Sequence, residues 1–247
     1  LVALGAVAQA DLIVVEAKQV GGFYADGTFS NDFALQNYFV GYGTTPGFPR
    51  TPERRSFFWF DLSDIEGTVV SASIKLKIAK PGGVVFGKGP GDPAVDEILD
   101  DPFEVFQLGA LPFGGHFVTS PTLTTPEALG IFDAMASSVA DPLVFMKDEA
   151  PPDFPVIALD GAGLAMVQGG LGAEIVLSGW MPSWTHDDRP EPTPPPEFLE
   201  ASELIFGLSD VHKGYAKPEL TLEVVPVPEP ATWALLGLGA LALRRRR

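Results

Sequence analysis

The stretch from residue 54 to residue 78, RRSFFWFDLSDIEGTVVSASIKLKI, limits the possible folds more than any other part of the chain. In its second half Ala72, Ile74, Leu76 and Ile78 alternate with Ser71, Ser73, Lys75 and Lys77. A period of two is the signature of a strand with one buried and one wet face. In the first half Phe57, Phe58, Trp59 and Phe60 follow one another without a polar break, so that strand is expected to be covered on both faces or to lie centrally. Residues 64–67 supply the turn between the two.

The rest of the chain extends this pattern. Gly (27) and Pro (24) are abundant among the 247 residues, yet 46% are hydrophobic, which argues for many turns between short apolar runs rather than for disorder. Further strands are expected over 173–179, 203–208 and 219–225, the last with Leu220, Leu222 and Val224 on one face. One helix is predicted after Thr125 as cap, with Pro126 in the first helical position and Glu127 favouring the N-terminal dipole. Its apolar stripe is expected to be Leu129, Phe132, Ala136 and Val139. A second, shorter helix fits 162–168, while 80–93 and the Pro-rich 186–196 read as loops. No internal repeat is evident. The predicted fold class is all-β, a sandwich with one or two short connecting helices.

Charge and cysteine content exclude several functions. The chain carries 32 Asp and Glu against 16 Lys and Arg, and four of those cations are the terminal Arg244, Arg245, Arg246 and Arg247. So acidic a surface, without a basic patch, repels phosphate backbones and argues against nucleic-acid binding. There is no Cys, which removes thiolate metal sites and Cys nucleophiles, and implies a core large enough to need no disulfides.

Both ends read as targeting segments. Residues 1–10, LVALGAVAQA, look like the apolar end of a secretory signal peptide, with Ala8 and Ala10 at the small-x-small cleavage pattern. The alternative is an apolar first strand over residues 1–7. At the other end a charge-free run of 13 residues, 231–243, lies between Pro228-Glu229-Pro230 and the four Arg. As a helix it would span roughly 20 Å, short of the hydrocarbon core at ~30 Å, a gap that snorkelling Arg side chains and local thinning can partly close. The Arg run should stay cytoplasmic, placing the body across the membrane. The expected division is a signal remnant over 1–10, a β-sandwich body over 11–225 and a C-terminal signal with a short transmembrane helix over 226–247.

The order Pro-Glu-Pro, short Leu/Gly/Ala-rich helix, Arg-rich end resembles the PEP-CTERM sorting signals. The resemblance implies an exosortase, a membrane-embedded transpeptidase-like enzyme of Gram-negative bacteria, as processing partner. Pro228, Glu229 and Pro230 would then be the recognised residues, and Arg244, Arg245, Arg246 and Arg247 the stop-transfer anchor. It further implies a biofilm or exopolysaccharide-producing setting, with the chain tethered to the membrane first and exposed at the cell surface or outside afterwards. In the body, RSFFWFDLS followed by GTVVSASIKLKI resembles a strand pair of jelly-roll-like sandwiches in PEP-CTERM proteins and DNRLRE-type modules. That resemblance implies a jelly-roll-like sandwich and carries no catalytic residues.

Candidate chemistry within the body is sparse. His116, His186 and His212 stand apart in sequence, with no H-E-x-x-H spacing, and no G-x-S-x-G elbow occurs. No cofactor is expected. Ca²⁺ is the one ion the acidic turns could serve: Asp26, Asn31 and Asp32 cluster in YADGTFSND, although EF-hand spacing is missing and ordinary Asx-turn chemistry between two strands is the favoured alternative. Asp96, Glu97, Asp100 and Asp101 form a second acidic cluster, read as a solvated turn. Trp180 and Trp184, with Asp187 nearby, form the most plausible sugar-stacking patch, against core packing as the alternative. The expected function is that of a non-enzymatic exported surface or matrix protein. A carbohydrate-binding module comes second, and a hydrolase using paired carboxylates third.

Overall fold

A computed structural model describes residues 9–30, 38–42, 53–78, 84–88, 103–182, 202–207 and 217–227. The strands are β1 (Asp11–Glu16), β2 (Gln19–Tyr24), β3 (Phe29–Ser30), β4 (Tyr38–Tyr42), β5 (Arg54–Asp61), β6 (Thr68–Lys75), β7 (Val84–Lys88), β8 (Phe103–Leu111), β9 (Leu143–Met146), β10 (Val156–Ala158), β11 (Glu174–Trp180), β12 (Ser202–Gly207) and β13 (Glu219–Val225). Among the described residues three helices interrupt them: α1 (Gly115–Val118), α2 (Thr125–Ala134) and α3 (Gly161–Gly170).

The strands form two sheets. The smaller has the order β1-β13-β6-β10, and the larger β7-β12-β4-β5-β11-β8-β9, with β2 and β3 joined to it at β5. Every pairing is antiparallel. The chain passes from the small sheet to the large one through Ala17 and Lys18, whose amides donate to Pro218 O and Trp59 O. Where β11 ends, Ser56 continues the pairing towards β4, its hydroxyl accepting from Phe39 N (2.9 Å) and donating to Phe39 O (2.7 Å).

The core between the sheets follows from the alternation. Ala72 and Ile74 of β6, and Leu220, Leu222 and Val224 of β13, meet Phe58 and Phe60 of β5 and Ile175 and Leu177 of β11. Each fully buried large side chain contributes about 1.5–3 kcal/mol. The remaining aromatics of β5, Phe57 and Trp59, point to the opposite face of the large sheet. There they join Leu111, Val176 and the buried side of α2 in a second core. The uninterrupted Phe57–Phe60 run is thus explained: this strand is sealed on both faces. The small sheet is sealed on one face only, leaving Leu12, Val14 and Val156 exposed. A register shift between Glu223 and Val224 leaves Val70 as the extra, exposed residue of a β-bulge.

Three local expectations need correction. The cap of α2 is Thr124, not Thr125: the Glu127 carboxylate reaches back to accept from Thr124 N (2.8 Å) and Thr124 Oγ1 (2.7 Å). The buried stripe is Ala128, Ile131, Phe132 and Met135, because the helix stops at Ala134; Ala136 is exposed and Val139 packs in the first core instead. The segment 80–93 is not all loop, since Val84–Lys88 forms β7 against β12. The second helix, expected over 162–168, is α3, capped by Asp160, whose Oδ1 accepts from Gly163 N (2.9 Å). Among the described residues no helix is long and apolar enough to cross a membrane. The expected short transmembrane helix over 231–243 lies outside the described residues.

Candidate functional site

Ionisable side chains collect at the corner where the chain changes sheets. Asp61 and Glu174 are register partners on β5 and β11, so two carboxylates lie side by side on the face that carries Trp59. Lys18, fixed at the corner by its backbone bond to Trp59 O, places Nζ 3.4 Å from both Asp61 Oδ2 and Glu174 Oε1. It also lies 4.3 Å from the Trp59 ring centroid. His116 of α1 brings Nε2 to 3.5 Å from the same Glu174 oxygen and meets Trp59 edge-on at 5.1 Å. Trp59 itself is only 4% exposed, its indole N–H has no partner among the described residues, and Gly115 leaves no room for a side chain above the ring.

The chemistry of this corner is that of ion pairing, one ammonium shared by two carboxylates. Hydrogen bonds from Ser63, then the Lys18 ammonium, hold the Asp61 carboxyl below its ordinary range. A glycosidase acid needs the reverse, a carboxyl kept protonated near neutral pH. Lys18 relieves the repulsion of a like-charged cross-strand pair, and Trp59 is too enclosed to present a face to a sugar ring. Among the described residues no group of three or more His, Asp or Glu side chains gathers as a metal site.

A second polar assembly holds α2 on the large sheet. The last carbonyls of a helix lack internal partners and carry partial negative charge. Here side chains of the sheet supply donors for this helix and the turn after it. Arg55 Nη1 donates to Phe132 O (2.9 Å), Ser178 Oγ to Met135 O (2.8 Å) and Trp180 Nε1 to Ser137 O (2.9 Å). Arg55 stacks 4.0 Å from the Phe132 ring centroid and pairs with the buried Glu53 at 2.9 Å. No local motif announces this set, because each donor lies 43 or 77 residues from its acceptor.

The sequence-based candidates fall as follows. Trp180 is half-buried with its N–H committed to Ser137. Asp26 sits in the β2–β3 turn, where Oδ1 accepts from Thr28 N (2.8 Å) and Thr28 Oγ1 (2.6 Å). Ala10 immediately precedes β1. Ala8, Asn31, Asp32, Trp184, His186, Asp187, His212, the acidic cluster at Asp96, Glu97, Asp100 and Asp101, Pro228, Glu229, Pro230 and the four terminal Arg lie outside the described residues. Of the sugar-stacking and Ca²⁺ candidates only Trp180 and Asp26 lie among the described residues, and the structure brings forward Lys18, Asp61, Glu174 and Arg55, which sequence reading passed over.

One junction matters more than these clusters. Strand β13 lies between β1 and β6, with Leu220, Leu222 and Val224 buried, and ends at Val225. Residues 226–247 match the family model of the PEP-CTERM protein-sorting motif. Such a motif implies export, membrane-associated sorting in Gram-negative bacteria and processing by an exosortase-type enzyme. The matched segment begins at the residue after the last residue of the sheet. No curated protein matches the chain.

Proposed function

We propose that this chain is a non-enzymatic surface or matrix protein whose β-sandwich body is the cargo and whose C-terminal motif is the address. The observation that carries this reading is the direct succession of a centrally paired final strand and a sorting motif: folded body and signal share no intervening domain. An exosortase-type enzyme recognises Pro228-Glu229-Pro230 and removes the apolar run and its Arg tail, after the body has been exported in an exopolysaccharide-producing cell. The ion-paired corner at Lys18 and the committed N–H of Trp180 favour a structural role for the body over a hydrolytic one.

The strand order favours a jelly-roll reading of that body. If β2, β3, β4, β7 and β12 are set aside as additions, eight strands remain, in the orders β1-β13-β6-β10 and β5-β11-β8-β9. Numbered along the chain these are 1-8-3-6 and 2-7-4-5, the alternation produced when a long antiparallel hairpin is rolled into two facing sheets. The test is deletion of residues 231–247 in the producing cell. The body is then expected in the soluble exported fraction, and fractionation unchanged from the full chain would overturn the assignment.

A further inference from the structure

The end of the small sheet from which the tail emerges has a surface of its own. Val225 pairs with Thr68 and Val224 with Asp11, so the start of β1, the start of β6 and the end of β13 lie together. Gly67, with φ +137°, packs against Val224 and Val225, and Gln168 of α3 bonds both Gly67 O (3.2 Å) and Val69 N (2.7 Å). This end is therefore braced from β6 and α3, and β13 is held between two partners. Around the exit, Leu12 is 73% exposed, Val227 67% and Val70 47%. Among the described residues Asp11, Glu66 and Glu223 are exposed acids at this end, and Glu223 stands between Leu12 of β1 and Val70 of β6 across the sheet. The cations of this sheet sit at the opposite end, where Lys75 pairs with Glu219 (2.8 Å) and Lys217 with Glu16 (3.3 Å).

Chain length then limits where this surface can be. Only residues 226–230 separate Val225 from the apolar run, a reach of at most roughly 20 Å at full extension. The headgroup layer takes up several ångströms of that. A body of this size is about 40 Å across. An enzyme cutting beside Pro228-Glu229-Pro230 therefore cannot avoid the end of the small sheet. Anionic lipid headgroups are repelled by these acidic side chains, which leaves a protein surface as the better complement.

Resting on the processing reading above, we infer that the exit end of the small sheet, where Glu223 stands between Leu12 and Val70 and is accompanied by Asp11, Glu66 and Val227, is a docking surface for the processing enzyme. The complementary surface combines apolar and basic side chains on the exported side of that enzyme. Recognition of this chain thus has two parts, the linear motif and the folded end that presents it.

The test follows removal of the tail from the full chain in the producing cell. One variant carries Glu66→Lys and Glu223→Lys, and a second carries Leu12→Thr and Val70→Thr. Val156→Thr, at the far end of the same sheet, is the control. Protease resistance of the exported body shows that each variant is folded. Both exit-end variants should slow tail removal about fivefold or more, the control should not, and the charge reversal should be the more salt-sensitive of the two. A Gly/Ser insert of about ten residues between Val227 and Pro228, adding on the order of 17 Å, should restore the rate by letting the enzyme reach the motif without meeting the body. Unchanged rates in both folded exit-end variants, or a loss that the insert does not relieve, would overturn the docking surface while leaving motif-dependent processing intact. If the unaltered chain keeps its tail, the processing reading fails, and the docking surface with it.

Discussion

The two sheets of this molecule solve the same burial problem differently. The large sheet is covered twice, by the small sheet on one face and by α1, α2 and their turns on the other. The small sheet is covered once, and its outer face carries Leu12, Val14 and Val156 beside Ser71, Ser73 and Thr221. The difference is written in composition. A strand sealed on both faces can be apolar throughout, as β5 is from Phe57 to Phe60, whereas one with a wet face must alternate, as β6 does. It also divides the work: the large sheet holds most of the core, and the small sheet, through β13, holds the tail.

The sharpest way to break this contrast is to truncate inside and outside. Phe58→Ala, in the core between the sheets, should cost about 3–5 kcal/mol in urea unfolding, whereas Val14→Thr on the bare face should stay within about 0.5 kcal/mol. Comparable losses at both positions would mean that the outer face of the small sheet is covered after all. Next in size is Arg55→Ala, which removes a donor from Phe132 O and one charged partner from Glu53, 6% exposed. A loss of about 3 kcal/mol is expected, with faster proteolysis of α2 than of β13. Arg55→Lys should recover part of it, because the ammonium keeps the charge but lacks the fork.

Gly67→Ala tests the brace at the tail exit. Its positive φ and the contact of a new Cβ with Val224 and Val225 predict a cost of roughly 1–3 kcal/mol, concentrated in hydrogen exchange at the start of β6 and the end of β13. An effect spread evenly over both sheets would contradict the local assignment.

The smallest effect is on acid stability. The Asp61 carboxyl is held below its ordinary value by Ser63 and Lys18, and that of Glu127 by the Thr124 amide and hydroxyl. Groups with depressed folded values contribute fully above their unfolded values, about 3.9 and 4.3, and lose that contribution as pH falls through the folded ones. Asp61→Asn with Glu127→Gln should therefore flatten the decline in melting temperature between about pH 5 and pH 2. Both groups are exposed, so the change is small, and a steeper decline in the variant would reverse the sign.

Much of the fold was legible where burial imposes a local rhythm. The last strand was expected over 219–225 and occurs there, since Leu220, Leu222 and Val224 alternate without a break. The helix at α2 was visible from its acidic, Pro-containing start, but its cap was read one residue late, at Thr125. What chose Thr124 was the three-residue reach of Glu127. The stripe slipped by one position because the helix ends before Ser137, whose hydroxyl is taken by the backbone of Ala110 in β8. The corner at Lys18 and the clamp at Arg55 were invisible for one physical reason: their partners come from strands and helices tens to more than a hundred residues away, and only the sheet order brings them together. The sorting motif was legible because it is read as linear sequence and depends on no tertiary partner.

The most direct test of the central claim is the mass of the C-terminal peptide of the exported protein isolated from its producing cell. A C-terminus at or near Pro228-Glu229-Pro230, with nothing of residues 231–247, is the expected result. A surface-exposed protein that still ends at Arg247 would contradict it.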